Sequence, residues 1–286
     1  MIRFPGVLRG LVVLALVGPT CVACAAGSSP APTAVAPDST RLTVFAASSL
    51  KDVFTAAGGP FKVANPTVGD IQFNFAGSQQ LVAQLSQGAP ADVFASADKA
   101  NMDKAVAAGE IDGSPQELAR NALVVVLPND NPAGIRTLHD LARPGVKLSL
   151  ADPSVPVGNY SGQVLDKLAA DPAYGAAFKV QALANVVSRE SNVRQVLTRV
   201  QLGEVDAGIV YATDAQAANA GATGSVPPVK TLPIPTQYNV IATYAIAAVK
   251  GAPHAAAAQA WLRYILAAEG QATLSKYGFG AAGGGP

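Results

Sequence analysis

The sequence predicts an α/β protein of two lobes around a cleft. Short apolar strands alternate with helix-periodic segments along most of the chain. The first units repeat one pattern of strand, small-residue turn carrying serine, and helix, and a similar series restarts after the proline-closed strand ending at Pro128. Strands that alternate with helices imply parallel sheets covered on both faces. A chain that builds one such unit, crosses to build a second and then returns leaves a cleft between the two.

The N-terminus comes before this pattern. Arg3 and Arg9, the apolar run Leu11 to Val17, Gly18-Pro19 and the small residues ending at Val22-Ala23-Cys24 predict a secretory signal over 1–23. The apolar run falls well short of the ~20 residues that span a bilayer. A cysteine directly after small residues at the end of a signal resembles a bacterial lipobox, which implies lipidation of Cys24. Cys21 departs from that pattern, standing where Leu is preferred. The alternative is a soluble secreted protein with an unpaired thiol. The rest of the chain has no cysteine, so the folded body contains no disulfide. Residues 24–40 are dominated by Ser, Pro, Ala and Thr and are expected to form a disordered tether behind the anchored cysteine.

The whole chain carries 20 basic and 19 acidic residues, and loss of Arg3 and Arg9 with the signal leaves a net charge of −1. That balance excludes the basic stripe of a nucleic-acid binder. Any anion this body binds has to be held by local geometry.

Leu42 to Phe45 reads as a buried strand, with Ser48-Ser49 opening the helical pattern of Leu50, Val53 and Phe54. Ile71 to Phe75 repeats the unit through Ala76-Gly77-Ser78 into a helix bearing Leu81, Val82 and Leu85. Ala91 to Phe94 is a third strand, followed by a helix from Ser96-Ala97-Asp98 to about Ala108. Asn121 to Leu127 is an apolar strand closed by Pro128. The second series has a helix at 138–142, a strand at 147–150, helices at about 160–170 and 193–200, and a strand at 207–211. An Ala- and Gly-rich stretch to Ser225 and a segment punctuated by Pro227, Pro228, Pro233 and Pro235 lead to an apolar strand over 239–249. A helix with Trp261, Leu262, Ile265 and Leu266 follows, and Gly280 to Pro286 reads as a frayed tail. The expected division is 41–123 with 239–280 as lobe 1, 124–238 as lobe 2, and 281–286 as tail.

Ligands in such sheets bind beyond the carboxyl ends of the strands, and the serine turns lie there. Ala47-Ser48-Ser49-Leu50 and Ala76-Gly77-Ser78-Gln79 each place a hydroxyl and consecutive backbone N–H groups at a helix N-terminus. Four amides lack intrahelical partners at such an end and the dipole is positive, so it can receive an anion. Each turn alone is more readily explained as a helix cap, and two in register on neighbouring strands strengthen the anion reading. Asp152-Pro153-Ser154-Val155-Pro156-Val157-Gly158 enters a helix of the second series, with Gly158 allowing backbone to approach a ligand. Glu190-Ser191-Asn192-Val193 opens another, with Ser191 or Asn192 as cap. Tyr211 supplies either a donor at the cleft edge or a buried hydroxyl satisfied elsewhere.

These strings carry a family resemblance. Val44-Phe45-Ala46-Ala47-Ser48-Ser49-Leu50, Phe75-Ala76-Gly77-Ser78 and Gly88-Ala89-Pro90-Ala91-Asp92-Val93-Phe94-Ala95-Ser96-Ala97-Asp98 closely resemble the periplasmic molybdate-binding proteins. Asp152-Pro153, Val155-Pro156-Val157-Gly158, Asn192-Val193-Arg194, Gly208-Ile209-Val210-Tyr211 and Lys276-Tyr277-Gly278-Phe279 continue the resemblance in order, so that it covers almost everything from Arg41 to Phe279. It implies a type II periplasmic binding protein-like fold. It further implies an oxyanion held by the hydroxyls of Ser49 and Ser78, the backbone amides of Val157 and Val193, and the hydroxyl of Tyr211. Val157 stands where some members have Ala, and the stretch from Gly158 to Val193 is longer than in some relatives. The implied protein is a monomeric, non-enzymatic binding subunit of an ABC importer. It sits at the outer face of the cytoplasmic membrane or in the periplasm, needs no cofactor, and passes molybdate to permease and ATPase partners. The alternative ligands are tungstate or another tetrahedral oxyanion of the sulfate type.

The residue inventory argues against an enzyme. Neither serine turn is a Gly-x-Ser-x-Gly elbow, and there is no His-x-x-x-His spacing or Cys-His pair. His139 and His254 read as surface residues. Asp92, Asp98 and Asp152 read more readily as capping and loop groups than as a carboxylate pair or cation site.

Overall fold

The computed structural model describes residues 40–221 and 226–283. The signal at 1–23, Cys24 and the tether up to residue 39 lie outside the described residues.

Two five-stranded mixed sheets organise the chain. In the first, β1 (Thr40–Ala47) lies between β2 (Val68–Ala76) and β3 (Val93–Ser96), parallel to both. Next comes β10 (Ala242–Val249), antiparallel to β3 and to the edge strand β4 (Ile111–Asn121). In the second sheet β6 (Leu148–Ala151) runs parallel to β7 (Val186–Glu190) and β8 (Ala207–Tyr211). Next comes β5 (Leu123–Pro128), antiparallel to β8 and to the edge strand β9 (Val229–Pro233). Both sheets thus follow one plan, three parallel strands and then an antiparallel strand that arrives directly from the other sheet.

Side-chain pattern explains the layers. Helices α1 (Lys51–Ala64), α8 (Ala255–Leu266) and α9 (Ala268–Lys276) pack on one face of the first sheet. There Trp261 is fully buried, meeting Phe54, Phe61 and Phe73 edge-on with ring centroids 5.3, 5.0 and 5.8 Å away. Edge-to-face geometry is the favoured arrangement of aromatic quadrupoles. The opposite face carries α2 (Ser78–Ser86) and α3 (Lys99–Ala107), which bury Leu81, Leu85 and Met102 with Phe45 and Phe94. The second sheet is dressed by α4 (Pro156–Ala170), α5 (Phe178–Ala184), α6 (Val193–Gln201) and α7 (Ala212–Ala220). The apolar face of α6 buries Val193, Val196, Leu197 and Val200.

Several local expectations are corrected. Ser48 and Ser49 do not cap α1. They form a 3₁₀ turn, Ser48–Leu50, that runs straight into the helix without a side-chain cap. The helix expected from Ser96 begins at Lys99, because the Asp98 side chain accepts the Asn101 N–H at 2.9 Å and fixes the cap there. Strand β4 escapes a sequence reading because Asp112, Gly113, Ser114, Pro115 and Gln116 interrupt its apolar pattern. It tolerates Pro115 as an edge strand, with register shifts against β10. The Ala-rich stretch after Tyr211 is helix α7 as far as Ala220. The start of the expected tail is tied down, since Gly280 and Arg120 exchange backbone hydrogen bonds and the Gly283 N–H donates to Glu117 at 3.0 Å.

Candidate functional site

The carboxyl ends of the parallel strands in both sheets lead into helix N-termini. In the first lobe β1 ends at Ala47 and passes through the Ser48–Leu50 turn, while β2 ends at Ala76 and reaches α2 through Gly77. In the second lobe Val155 leads into α4 with Pro156 at its first position, a residue whose missing N–H would have been an orphan there anyway. Asn192 caps α6, its side-chain oxygen accepting the Gln195 N–H at 3.1 Å. Tyr211 ends β8.

These ends converge on one small cavity. The first lobe contributes Ala47, Ser48, Ser49, Ala76, Gly77, Ser78 and Ala97 to its wall, and the second contributes Val155, Pro156, Val157, Val193 and Tyr211. All five residues singled out from the sequence are therefore brought to the same space. Their side chains are buried, none more than 3 % exposed.

The polar groups of the wall are donors or can act as donors. Ser78 Oγ accepts the Ala97 N–H at 3.0 Å, which leaves its own proton free. Ser49 Oγ shares a 2.8 Å hydrogen bond with the Tyr244 hydroxyl. The Tyr211 hydroxyl is buried and has no hydrogen-bond partner among the described residues. A buried unpaired hydroxyl costs ~1–3 kcal/mol. Burial pushes the Tyr211 phenol far above its ordinary titration range, with Tyr244, Tyr160, Asp98 and Asp214 adding to the effect. Tyr211 thus keeps its proton and remains a donor.

Among the described residues no charged side chain lines the cavity. The nearest cation in sequence, Arg194, is engaged elsewhere: Nη2 lies 2.5 Å from Asp52 Oδ2 and Nε lies 2.6 Å from Asp214 Oδ1. The second contact is an ion pair by distance, its N–H turned off the line between the atoms.

Gly158 plays a different part from the one expected. A Cβ there would lie 2.0 Å from the Asp152 carbonyl oxygen and 2.7 Å from that of Ala151. The glycine lets α4 start against the end of β6 and is not part of the cavity wall. The carboxylates of the loops act as expected of capping groups. Asp92 accepts N–H bonds from Thr43 and His254, both at 2.7 Å, and Asp152 accepts from Ser154. His254 is less free than expected, its Nδ1 lying 3.2 Å from Asp92. Among the described residues no group of His, Cys, Asp and Glu is placed to hold a metal ion. Tyr244, Ala97, Arg194 and Asp214 are the supporting residues that sequence reasoning missed. Arg194 and Ala97 carried a signal, as parts of the Asn192-Val193-Arg194 and Ala95-Ser96-Ala97-Asp98 strings.

A family model described as "Bacterial extracellular solute-binding protein" matches residues 42–280, which include the whole cavity wall. The chain belongs to that family. Among individual relatives, the molybdate-binding protein ModA of Mycobacterium tuberculosis H37Rv is 38% identical over 279 residues, covering 97% of this chain and 98% of its own. A Bacillus subtilis protein named as a putative ABC transporter substrate-binding lipoprotein, YvgL, is 31% identical, over 84% of this chain and 86% of its own. Among solved structures, the sulfate-binding protein SubI of Mycobacterium tuberculosis superposes with a TM-score of 0.72 at 22% identity, over 84% of this chain and 86% of that one. At that identity the likeness is one of fold. It agrees with two α/β lobes of the periplasmic binding type. As a member of a solute-binding family the chain is a transport component and not an enzyme.

Proposed function

We propose that this solute-binding protein captures molybdate between its two lobes and delivers it to the permease of an ABC importer. The observation that carries the proposal is the buried, unpartnered hydroxyl of Tyr211, a residue that lines one cavity together with Ser49, Ser78 and the first turns of helices from both lobes. Such a wall offers protons and positive dipole ends to an anion and no carboxylate to a cation.

The ligand bonds assigned are the hydroxyls of Ser49, Ser78 and Tyr211 with the N–H groups of Val157 and Val193. Hydrogen bonds to a charged group contribute about 1.5–3 kcal/mol each, and a helix N-terminus in a partly buried site contributes up to ~2. Several such terms, reduced by desolvation and closure, leave the roughly −8 to −12 kcal/mol of micromolar to nanomolar binding. Donors alone also select. A protonated phosphate has to donate its own O–H, and this wall holds no carboxylate to receive it, only hydroxyls whose protons are needed by the anion. Molybdate, tungstate and sulfate are fully deprotonated, and cavity size then separates sulfate from the two larger ions.

Identity to the Mycobacterium tuberculosis ModA along nearly the full chain supports molybdate within this class. The name of YvgL supports a lipid anchor at Cys24 and an ABC permease and ATPase as partners. In this reading the mature protein sits at the outer face of the membrane as a monomer.

Titration calorimetry of the protein with molybdate, tungstate, sulfate and phosphate tests the reading. Tight binding of molybdate and tungstate, weak sulfate binding and silence with phosphate are expected. Ser49→Ala and Ser78→Ala should each weaken molybdate binding by about 1–3 kcal/mol. A folded protein giving no heat with molybdate rejects the ligand, and unchanged affinity in both variants rejects the assigned pocket.

A further inference from the structure

We propose that Arg194 is a positioning residue that latches the two lobes together through Asp52, holding the first turn of α6 against the ligand. The proposal rests on the oxyanion-binding reading above.

Arg194 follows Val193 directly, at the start of α6 in the second lobe. Its guanidinium has two carboxylate partners of opposite character. Asp214, in α7 of the same lobe, is fully buried, and its Oδ2 accepts the Tyr211 N–H at 3.3 Å. Asp52, in α1 of the other lobe, has a side chain that is 37% exposed. A buried carboxylate left without its cation is strongly destabilising. Burial does push Asp214 up from the usual carboxylate range, and Arg194 opposes that rise. The Asp214 end is therefore permanent whether the cleft is open or shut. The Asp52 end is half solvated, and exposed ion pairs are weak enough to break and re-form. One end is fixed and the other releasable, which is what a latch requires.

A second contact locates the latch at the ligand. Gln79, in the first turn of α2, donates from Nε2 to the Ser191 carbonyl at 2.9 Å across the same gap. The two bridges, at Ser191 and Arg194, flank Val193, whose N–H is assigned to the oxyanion. Through Asp214 the same guanidinium is also joined to the backbone of Tyr211. Two ligand groups of the second lobe are thus tied to one interlobe ion pair.

The test is stopped-flow association and release of molybdate in wild-type protein, Asp52→Asn and Asp52→Glu. Asp52→Asn is expected to speed release about three- to tenfold with association unchanged, a size between that of exposed and charge-assisted buried bonds. Asp52→Glu should restore slow release. Raising salt should speed release in wild type and not in Asp52→Asn, because only the ion pair is screened. Equal release rates, or an equal salt response in both proteins, overturns the latch. Failure of the wild type to bind molybdate would count against the ligand assignment alone. The latch would then be read by amide hydrogen exchange without ligand, where faster exchange at residues 192–195 in Asp52→Asn supports it and identical exchange refutes it.

Discussion

Ser49 Oγ lies 2.8 Å from the hydroxyl of Tyr244, a fully buried residue on β10 that is not part of the cavity wall. Burial holds the Tyr244 phenol protonated far beyond its ordinary range, with the negative charge of Asp214 as the next contribution. A hydroxyl that always carries a proton can donate it to Ser49 and leave the serine's own O–H for the ligand. Tyr244→Phe should therefore weaken molybdate binding by about 0.5–1.5 kcal/mol, the worth of one neutral hydrogen bond. Calorimetry decides it: wild-type affinity in the variant would mean that Ser49 needs no such orientation.

Tyr211→Phe should separate binding from stability. The hydroxyl it removes has no partner among the described residues, so urea denaturation without ligand should show equal or slightly higher stability. Molybdate affinity should drop by about 1.5–3 kcal/mol. A variant that loses stability and keeps its affinity would assign the hydroxyl a structural role instead.

Gly77→Ala should act on closure. A Cβ at Gly77 would come 2.4 Å from the Ser191 carbonyl oxygen, a backbone atom of the opposite lobe. The backbone at Gly77 is ordinary extended conformation, so alanine strains no dihedral, and within its own lobe it need only displace the flexible end of Gln79, 2.5 Å from the added Cβ. Thermal stability without ligand should stay near wild type while molybdate affinity falls at least tenfold, about 1.4 kcal/mol. Affinity equal to wild type would show that the lobes bind without approaching this closely.

Asp140 offers a pH test away from the cleft. Its carboxylate accepts the N–H groups of Arg136 at 2.9 Å and Thr137 at 2.8 Å, which hold it below the usual carboxylate range. A depressed folded pKa stabilises the protein above the unfolded pKa, and the effect is lost as pH falls through the folded value. Asp140→Asn should then cost about 0.5–1.5 kcal/mol at pH 7, and the difference should shrink under acid. Urea denaturation of both proteins at neutral and acid pH checks this, and a gap independent of pH would exclude the carboxylate charge as its source.

The alternation of apolar strands with helical segments was enough to read the parallel core of both sheets, because β1, β3, β6 and β8 are short and mostly buried. Of the edge strands β2 was legible, while β4, β7 and β9 were not. Strand β4 is mostly polar and broken by Gly113 and Pro115, and its pairing with β10 comes from residues over a hundred positions away. The cavity wall was legible where a turn and a helix start coincide in sequence, as at Ser78 and Val193. Tyr244 and Asp214 were not, because an interior tyrosine and a first-turn aspartate look like ordinary packing and capping until the fold brings Ser49 and Arg194 to them.

Strand β10 has a consequence for the order in which the molecule is made. It fills the place between β3 and β4, yet its residues come after every strand of the second sheet. A chain growing from its N-terminus, or threading through a membrane in that direction, can assemble the second lobe first. Until residues 242–249 emerge, the lobe that begins the fold has two unfilled strand edges, the kind of surface that pairs with other chains. The part of the protein synthesised first is the last to become safe from aggregation, so holding it unfolded during export is an advantage built into its topology.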